Sequence, residues 1–249
     1  MQMQSPPAEQ VQIAPPVRRV DAPSPTASAE ELEGRGDELR AEKFYFDALD
    51  YYRAALAKKP NSPQIYNKAG ITELMTQHYR DAGKSFEHAI HADRTYADAY
   101  NNLGVIEYEA KKFGRAVRRY KQAIKIQPAS ASFFSNLGAA YFAEKDFVPA
   151  VTAYAQALQL DPEVFDRTSH AGVSAQLSSP DDRAHYDYVL AKLYAQIGSA
   201  ERSLEYLKKA IEEGYKKVND VYKDPEFAVL RKDSRFTELM AAKPQSIPE

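Results

Sequence analysis

Between residues 29 and 162 the apolar positions fall into stretches of about a dozen residues, separated by short polar breaks, and the pattern repeats every 34 residues. Each period holds two such stretches, which predicts two antiparallel helices per period. In the third period Tyr100, Leu103, Gly104 and Tyr108 mark the first helix. Phe113, Ala116, Val117, Tyr120, Ala123 and Ile124 draw an i, i+3, i+4, i+7 stripe along the second. Three kinds of column run through all four periods. Glycine stands at Gly36, Gly70, Gly104 and Gly138, alanine at Ala48/Ala82/Ala116/Ala150 and Ala55/Ala89/Ala123/Ala157, and an aromatic ring at Tyr52, Phe86, Tyr120 and Tyr154. Small residues let helix axes approach and the rings fill the space left over, so the columns predict stacked helix pairs around a packed core. Pro60, Pro128 and Pro162 stand where second helices must stop. Arg94 takes that place in the second period, which has to turn by other means.

These columns resemble the tetratricopeptide repeat, whose pattern calls for a large residue, Leu-Gly, an aromatic, Ala, an aromatic, Ala and Pro. The third period matches with Tyr100, Leu103-Gly104, Ala116, Tyr120, Ala123 and Pro128. The fourth matches with Phe134, Leu137-Gly138, Ala150, Tyr154, Ala157 and Pro162. Arg35 and Ala69 stand before the first two glycines, so those periods match more loosely. The resemblance covers four units, 29–62, 63–96, 97–130 and 131–162, and implies an all-α, right-handed α-solenoid of antiparallel helix pairs.

Tyr188 to Tyr194, followed by Gly198, Leu204, Leu207 and Ala210, repeat the pattern out of register. They predict a fifth helix pair over 184–217, after an insertion at 163–183. Ser179-Pro180-Asp181-Asp182 offers an N-cap, a proline at the first helical position and acids in the first turn, so a helix is expected to start there. Val164, Phe165 and Val173 either pack on the solenoid or belong to a disordered loop. Gly214 suits a helix C-cap. Residues 218–241 then read as two short capping helices, with Asp224-Pro225 and Asp233 as caps and Phe227, Leu230, Phe236 and Leu239 as apolar faces. Their Asp-Pro, Leu-Arg and Arg-Phe succession resembles tails that close bacterial arrays of this repeat. A solenoid needs such a cap, because its last repeat otherwise exposes a core-like face. Residues 1–28, with Pro6, Pro7, Pro15, Pro16, Pro23 and Pro25, read as a disordered Pro-rich leader, and 242–249 as a disordered tail.

Composition narrows the functions. The chain of 249 residues has no cysteine, which excludes disulfides, zinc-thiolate sites and cysteine nucleophiles. A formal net charge of −2 argues against a general nucleic-acid binder. No apolar run is long enough to span a bilayer, and no basic start followed by an apolar stretch marks a signal peptide. The chain therefore reads as soluble, cytoplasmic by default and periplasmic if a signal was removed. His88 and His91 share a helix at i, i+3 without a further ligand, and Gly34-Arg35-Gly36 lacks the rest of any nucleotide motif. No nucleophile–base set is present. Neither enzyme activity nor a metal, a cofactor or a small-molecule substrate is expected.

One local exception to the charge balance is the second helix of the third unit, which Lys111, Lys112, Arg115, Arg118, Arg119, Lys121 and Lys125 crowd. This is either an ordinary solvated face or a dock for an acidic partner or a nucleic-acid backbone.

Function is then expected from surface shape. The resemblance implies a concave groove, lined by the first helix of each pair, that binds a peptide of another protein. On that mapping the groove presents Asn67, Lys68 and Ile71, then Asn101, Asn102, Val105 and Tyr108, then Ser135, Asn136, Ala139 and Phe142. Gln64, Met75, Asp98 and Ser132 flank them. The family's carboxylate clamp of Lys, Asn, Asn, Lys and Arg falls on Asn67, Ile71, Asn102, Ser132 and Asn136, and in the alternative register begins with Glu33 and Asp37. Its cations are missing in both. The family's asparagine ladder would use Asn102 and Asn136, with Lys68 in the preceding unit, because an amide both donates to and accepts from a peptide backbone. Asparagine is also the common residue at that position of the repeat. The chain thus reads as a non-enzymatic adaptor for another protein. The alternative is a structural or envelope-assembly subunit acting through its convex face, insertion and Pro-rich leader.

Overall fold

Ser28 opens the first helix. Its Oγ accepts the Glu31 N–H at 3.1 Å, and the Glu31 carboxylate accepts the Ser28 N–H at 2.7 Å, a reciprocal capping box. The helices that follow are α1 (Ala29–Ala41), α2 (Tyr45–Lys58), α3 (Pro63–Met75), α4 (Tyr79–Ala92), α5 (Ala97–Glu109), α6 (Phe113–Ile126), α7 (Ala131–Ala143), α8 (Phe147–Leu160), α9 (Pro180–Gln196), α10 (Ala200–Glu212) and α11 (Ser234–Ala242). The computed structural model describes residues 20–165 and 179–242. The chain forms two compact units, an N-terminal one over residues 1–96 that holds α1–α4 and a C-terminal one over 97–249 that holds α5–α11. Each is an α-solenoid segment in which consecutive helices pair and each pair packs on the next.

The turns inside the first four pairs share one geometry. Lys43, Gln77, Lys111 and Lys145, one period apart, take left-handed φ angles of 66°, 62°, 57° and 61°. In the first, the Lys43 N–H bonds the Arg40 carbonyl and the Phe44 N–H bonds the Leu39 carbonyl, the double closure of a Schellman ending; the other three repeat it. Gly198, at φ 80°, takes this place between α9 and α10. The turn at Arg94 is made by Asp93, whose Oδ1 accepts the Thr95 N–H at 2.8 Å and the Thr95 hydroxyl at 2.7 Å. A side-chain turn replaces the missing proline.

The core explains the glycine column. A Cβ on Gly36, Gly70, Gly104 or Gly138 would stand 2.7, 2.6, 2.5 or 2.5 Å from the ring of Tyr52, Phe86, Tyr120 or Tyr154 respectively. Each ring occupies the place of the absent side chain and is almost fully buried. The alanine columns are buried with them.

Several expectations are corrected at the edges. Residues 20–28 of the leader lie against α2: Val20 and Ala27 join its core cluster, Tyr51 donates to the Asp21 carbonyl at 3.1 Å, and Lys58 donates to that of Pro25 at 2.8 Å. Residues 1–19 of the predicted leader lie outside the described residues, as do Val173 and 243–249. Val164 and Phe165 pack on the C-terminal core, with Phe165 edge-on to Tyr154 at 5.4 Å. The first helix of the fifth pair starts at Pro180, inside the expected insertion, because Ser179 Oγ caps it by accepting the Asp182 N–H at 3.1 Å. Gly214, at φ 82°, follows α10.

The predicted first capping helix is instead a run of 3-10 turns, Val218–Tyr222, Pro225–Ala228 and Leu230–Lys232. The Arg231 guanidinium ties them by donating to the carbonyls of Val221 and Asp224, both at 2.9 Å. Asp224 makes no cap bond; its carboxylate accepts the Tyr188 hydroxyl at 2.8 Å and pairs with Lys192 at 3.0 Å. Asp233 does accept the Arg235 N–H at the start of α11, at 3.0 Å. Phe227, Leu230 and Phe236 are buried in the core, and Leu239 packs against it.

Candidate interaction site

In the N-terminal unit the first helices, α1 and α3, meet through charge. Lys68 Nζ lies 2.6 Å from both Glu33 Oε1 and Asp37 Oδ2. Asp37 Oδ1 accepts the Tyr52 hydroxyl at 2.7 Å, and Arg40 Nε donates to the same hydroxyl at 3.3 Å. Burial works against the Lys68 charge, but its bonds to Asp37 and Glu33 prevail and raise its pKa.

In the C-terminal unit the same repeat positions carry amides. Asn136 Nδ2 donates to Asn101 Oδ1 at 2.9 Å, and Asn101 Nδ2 donates to Asn102 Oδ1 at 3.2 Å. Positions 101 and 136 lie two periods beyond 33 and 68, so the amide pair joins α5 to α7 where the ion pair joins α1 to α3. Val105 and Ala139 stand where Asp37 stands in the first period. The buried hydroxyls of Tyr120 and Tyr154 accordingly have no hydrogen-bond partner among the described residues, and burial pushes both phenols up.

Six of the expected groove residues are buried: Asn67, Asn101, Tyr108, Asn136, Ala139 and Phe142. Tyr108 packs on Phe113 at 5.2 Å between ring centroids, and Phe142 sits among Phe147, His185 and Tyr186. Lys68, Ile71, Asn102, Val105 and Ser135 are half-buried on the first-helix faces. The ladder expectation placed Asn136 against a peptide backbone. With no exposed surface and its amide bonded to Asn101, Asn136 instead fastens two first helices together.

Of the seven cations, Arg115, Arg118, Arg119, Lys121 and Lys125 lie on α6, whereas Lys111 and Lys112 belong to the turn before it. No acid lies on α6; Lys112 and Arg115 approach Glu107 of α5 at 3.8 and 3.7 Å. Arg115, Arg118, Arg119, Gln122 and Glu107 line an open cleft of about 430 Å³. His88 stacks on Tyr66, with ring centroids 5.1 Å apart. Among the described residues no group of three or more histidines and carboxylates is placed to hold a metal ion, and no helix is long and apolar enough to cross a membrane.

The sequence did not announce one further feature, a cleft bounded by α8, α9 and the 3-10 turns, with Lys192, Asp224 and Glu226 in its lining. Its only sequence signal is Asp224-Pro225-Glu226, which reads first as a helix cap.

Profiles described as "TPR repeat" and "Tetratricopeptide repeat" match residues 106–145, 131–164 and 186–213. No curated protein matches the chain in sequence. Solved structures share the fold. A crystal structure of MamA protein is 20% identical, with 79% of this chain and 95% of that one covered and a TM-score of 0.52. MamA 41-end from Desulfovibrio magneticus RS-1 is 16% identical, with 79% and 97% covered and a TM-score of 0.53. YrrB, described as a TPR protein with an unusual peptide-binding site, is 20% identical, with 82% and 92% covered and a TM-score of 0.50. Ring-into-glycine packing explains how this sequence stacks its helices, and the profile matches carry the pattern past the insertion into α9 and α10: the chain carries tetratricopeptide repeats.

Proposed function

We propose that the chain is a non-enzymatic scaffold that holds an extended segment of another protein on its first-helix faces. Tetratricopeptide repeats support a protein–protein interaction role in general. The observation that carries the finer reading is the amide relay in the C-terminal unit. Asn136 holds Asn101, and Asn101 bonds Asn102, whose half-buried side chain lies on a first helix as those of Val105 and Ser135 do. An amide bonded in this way suits a peptide backbone, because the ordering cost of the contact residue is already met within the fold. Lys68 and Ile71 offer the counterpart face in the N-terminal unit.

The test is site-specific photocrosslinking in native cells, with the crosslinker at Val105 or Ser135 and a control at Gln156 on α8. One reproducible protein partner at the first two positions and none at Gln156 is expected. Crosslinks confined to Gln156, or none at all, would refute the reading.

A second reading, an acidic partner docked on the outer face of α6, is favoured by the absence of any acid on that helix. It predicts capture that weakens steeply with salt and is lost in Arg118→Glu/Arg119→Glu. Capture insensitive to both would exclude it.

A further inference from the structure

The out-of-register entry of the fifth pair leaves a gap among the described residues of the C-terminal unit. Elsewhere in that unit the first helix of a pair packs along the preceding second helix, as α7 does on α6. By contrast, α9 packs chiefly on α10 and on the turn at Pro225–Ala228, and only lightly on α8. The space so opened is a cleft of about 290 Å³. Phe147 and Val151 of α8 and Val189 and Leu193 of α9 form apolar walls, and His185, Tyr188 and Tyr215 line it with rings. Tyr188 and Tyr215 stack at 4.3 Å, and His185 meets Phe147 edge-on at 4.4 Å. Burial, with the nearby Lys217 charge, lowers the His185 pKa against the pull of Asp182, so at neutral pH this ring is an uncharged aromatic wall.

Acids outnumber bases in the lining, Asp220, Asp224 and Glu226 against Lys192 and Lys217. Lys192 Nζ pairs with Asp224 at 3.0 Å and with Glu226 Oε1 at 3.3 Å, and the Tyr188 hydroxyl donates to Asp224. Glu226 Oε2 is buried without a hydrogen-bond donor among the described residues. A carboxylate oxygen shut away from water and left without a donor is costly, and a charged donor entering the cleft relieves that cost.

We propose that this cleft is a docking site for a basic side chain, an arginine of a partner polypeptide, lying between the aromatic and aliphatic walls with its guanidinium at Glu226. Arginine fits better than lysine: its planar head stacks on rings and its fork can reach two carboxylates, here Glu226 and Asp224. The site is separate from the positions at Lys68, Ile71, Asn102, Val105 and Ser135 and stands or falls independently of them.

The experiment uses the full chain and two probes, N-acetyl-arginine N-methylamide and its neutral isostere N-acetyl-citrulline N-methylamide, followed by NMR shifts of the Val189, Leu193 and Glu226 amides. Saturable shifts with the arginine probe, and far weaker ones with citrulline, are expected. Glu226→Gln should weaken binding about tenfold, the loss of one charged hydrogen bond. Val151→Trp, which fills the cleft from α8, should abolish binding while the melting temperature confirms that the chain is folded. Equal binding of the two probes, shifts elsewhere only, or full binding to folded Glu226→Gln or Val151→Trp would overturn the proposal.

Discussion

The two units solve one problem in two ways. Both must hold successive first helices side by side, at matching repeat positions. The N-terminal unit does it with an ammonium between two carboxylates, Lys68 with Glu33 and Asp37, and lends Asp37 to the Tyr52 hydroxyl. The C-terminal unit does it with a buried amide pair, Asn136 to Asn101, and leaves the Tyr120 and Tyr154 hydroxyls without partners among the described residues. A charged clasp works where water still reaches it, as it does around the Lys68 side chain, 28% exposed. A fully buried contact is better served by neutral amides, which cost less to desolvate. Charge is thus compensated at the N-terminal clasp. At Asp187 of the C-terminal unit, a buried carboxylate faces another acid.

The largest expected effect tests that last contrast. Asp187, on α9, is pushed up to about 7 by burial and by Glu213 of α10, against the pull of Lys209 and Arg183. Because the folded value lies above the ordinary one, the stabilising balance is present below about pH 4 and is lost as pH rises through 7. Asp187→Asn should therefore stabilise the chain by more than about 1.4 kcal/mol at pH 8 and by little at pH 4, read from urea unfolding at both values. A gain independent of pH would show that the carboxylate is already compensated.

Next come the contacts that both units share. Gly36→Ala and Gly104→Ala each press a methyl into a buried ring and should each cost about 1–3 kcal/mol. If only one did, the ring-into-glycine lock would not be common to the two units.

The clasps themselves should respond differently to salt. Asn136→Ala leaves the Asn101 carbonyl oxygen without its donor and should cost about 1–3 kcal/mol at any ionic strength. Lys68→Met should cost about 1 kcal/mol or less, shrinking as salt screens the pair. Melting curves at low and high salt decide it; the same salt dependence in both variants would erase the distinction.

The smallest effects concern single hydroxyls. Tyr52→Phe removes a bonded group and should cost about 1 kcal/mol. Tyr120→Phe and Tyr154→Phe remove unpartnered ones and should leave the melting temperature unchanged or raise it. A loss in either would mean that its hydroxyl is bonded in solution.

Much of the architecture was legible because its determinants are local and periodic. The 34-residue spacing of Gly36, Gly70, Gly104 and Gly138 and their rings needs no knowledge of distant contacts. Serine before proline predicted the start of α9 because a cap acts within one turn. The tight turns were not legible, since lysine and glutamine carry no mark of a left-handed φ, and only the Schellman closure around them reveals it. Nor was the role of Asn136. Asparagine in that column reads equally as ligand contact or as helix fastener, and its 0% exposure decides between them. Asp224 misled for a similar reason: before a proline it looks like a cap, yet its carboxylate is taken by Tyr188 and Lys192.

The sequence by itself determined that helices form in pairs, with what period the pairs recur, and which small and aromatic residues stack them, because each of these follows from spacing along one chain. Only the tertiary structure decided which polar residues face inward, how the clasp changes from charge to amide between units, and that the shifted fifth pair opens an acid-lined aromatic cleft. Those outcomes depend on groups far apart in the chain competing for the same buried space, and hydrogen-bond partners of that kind leave no period to read.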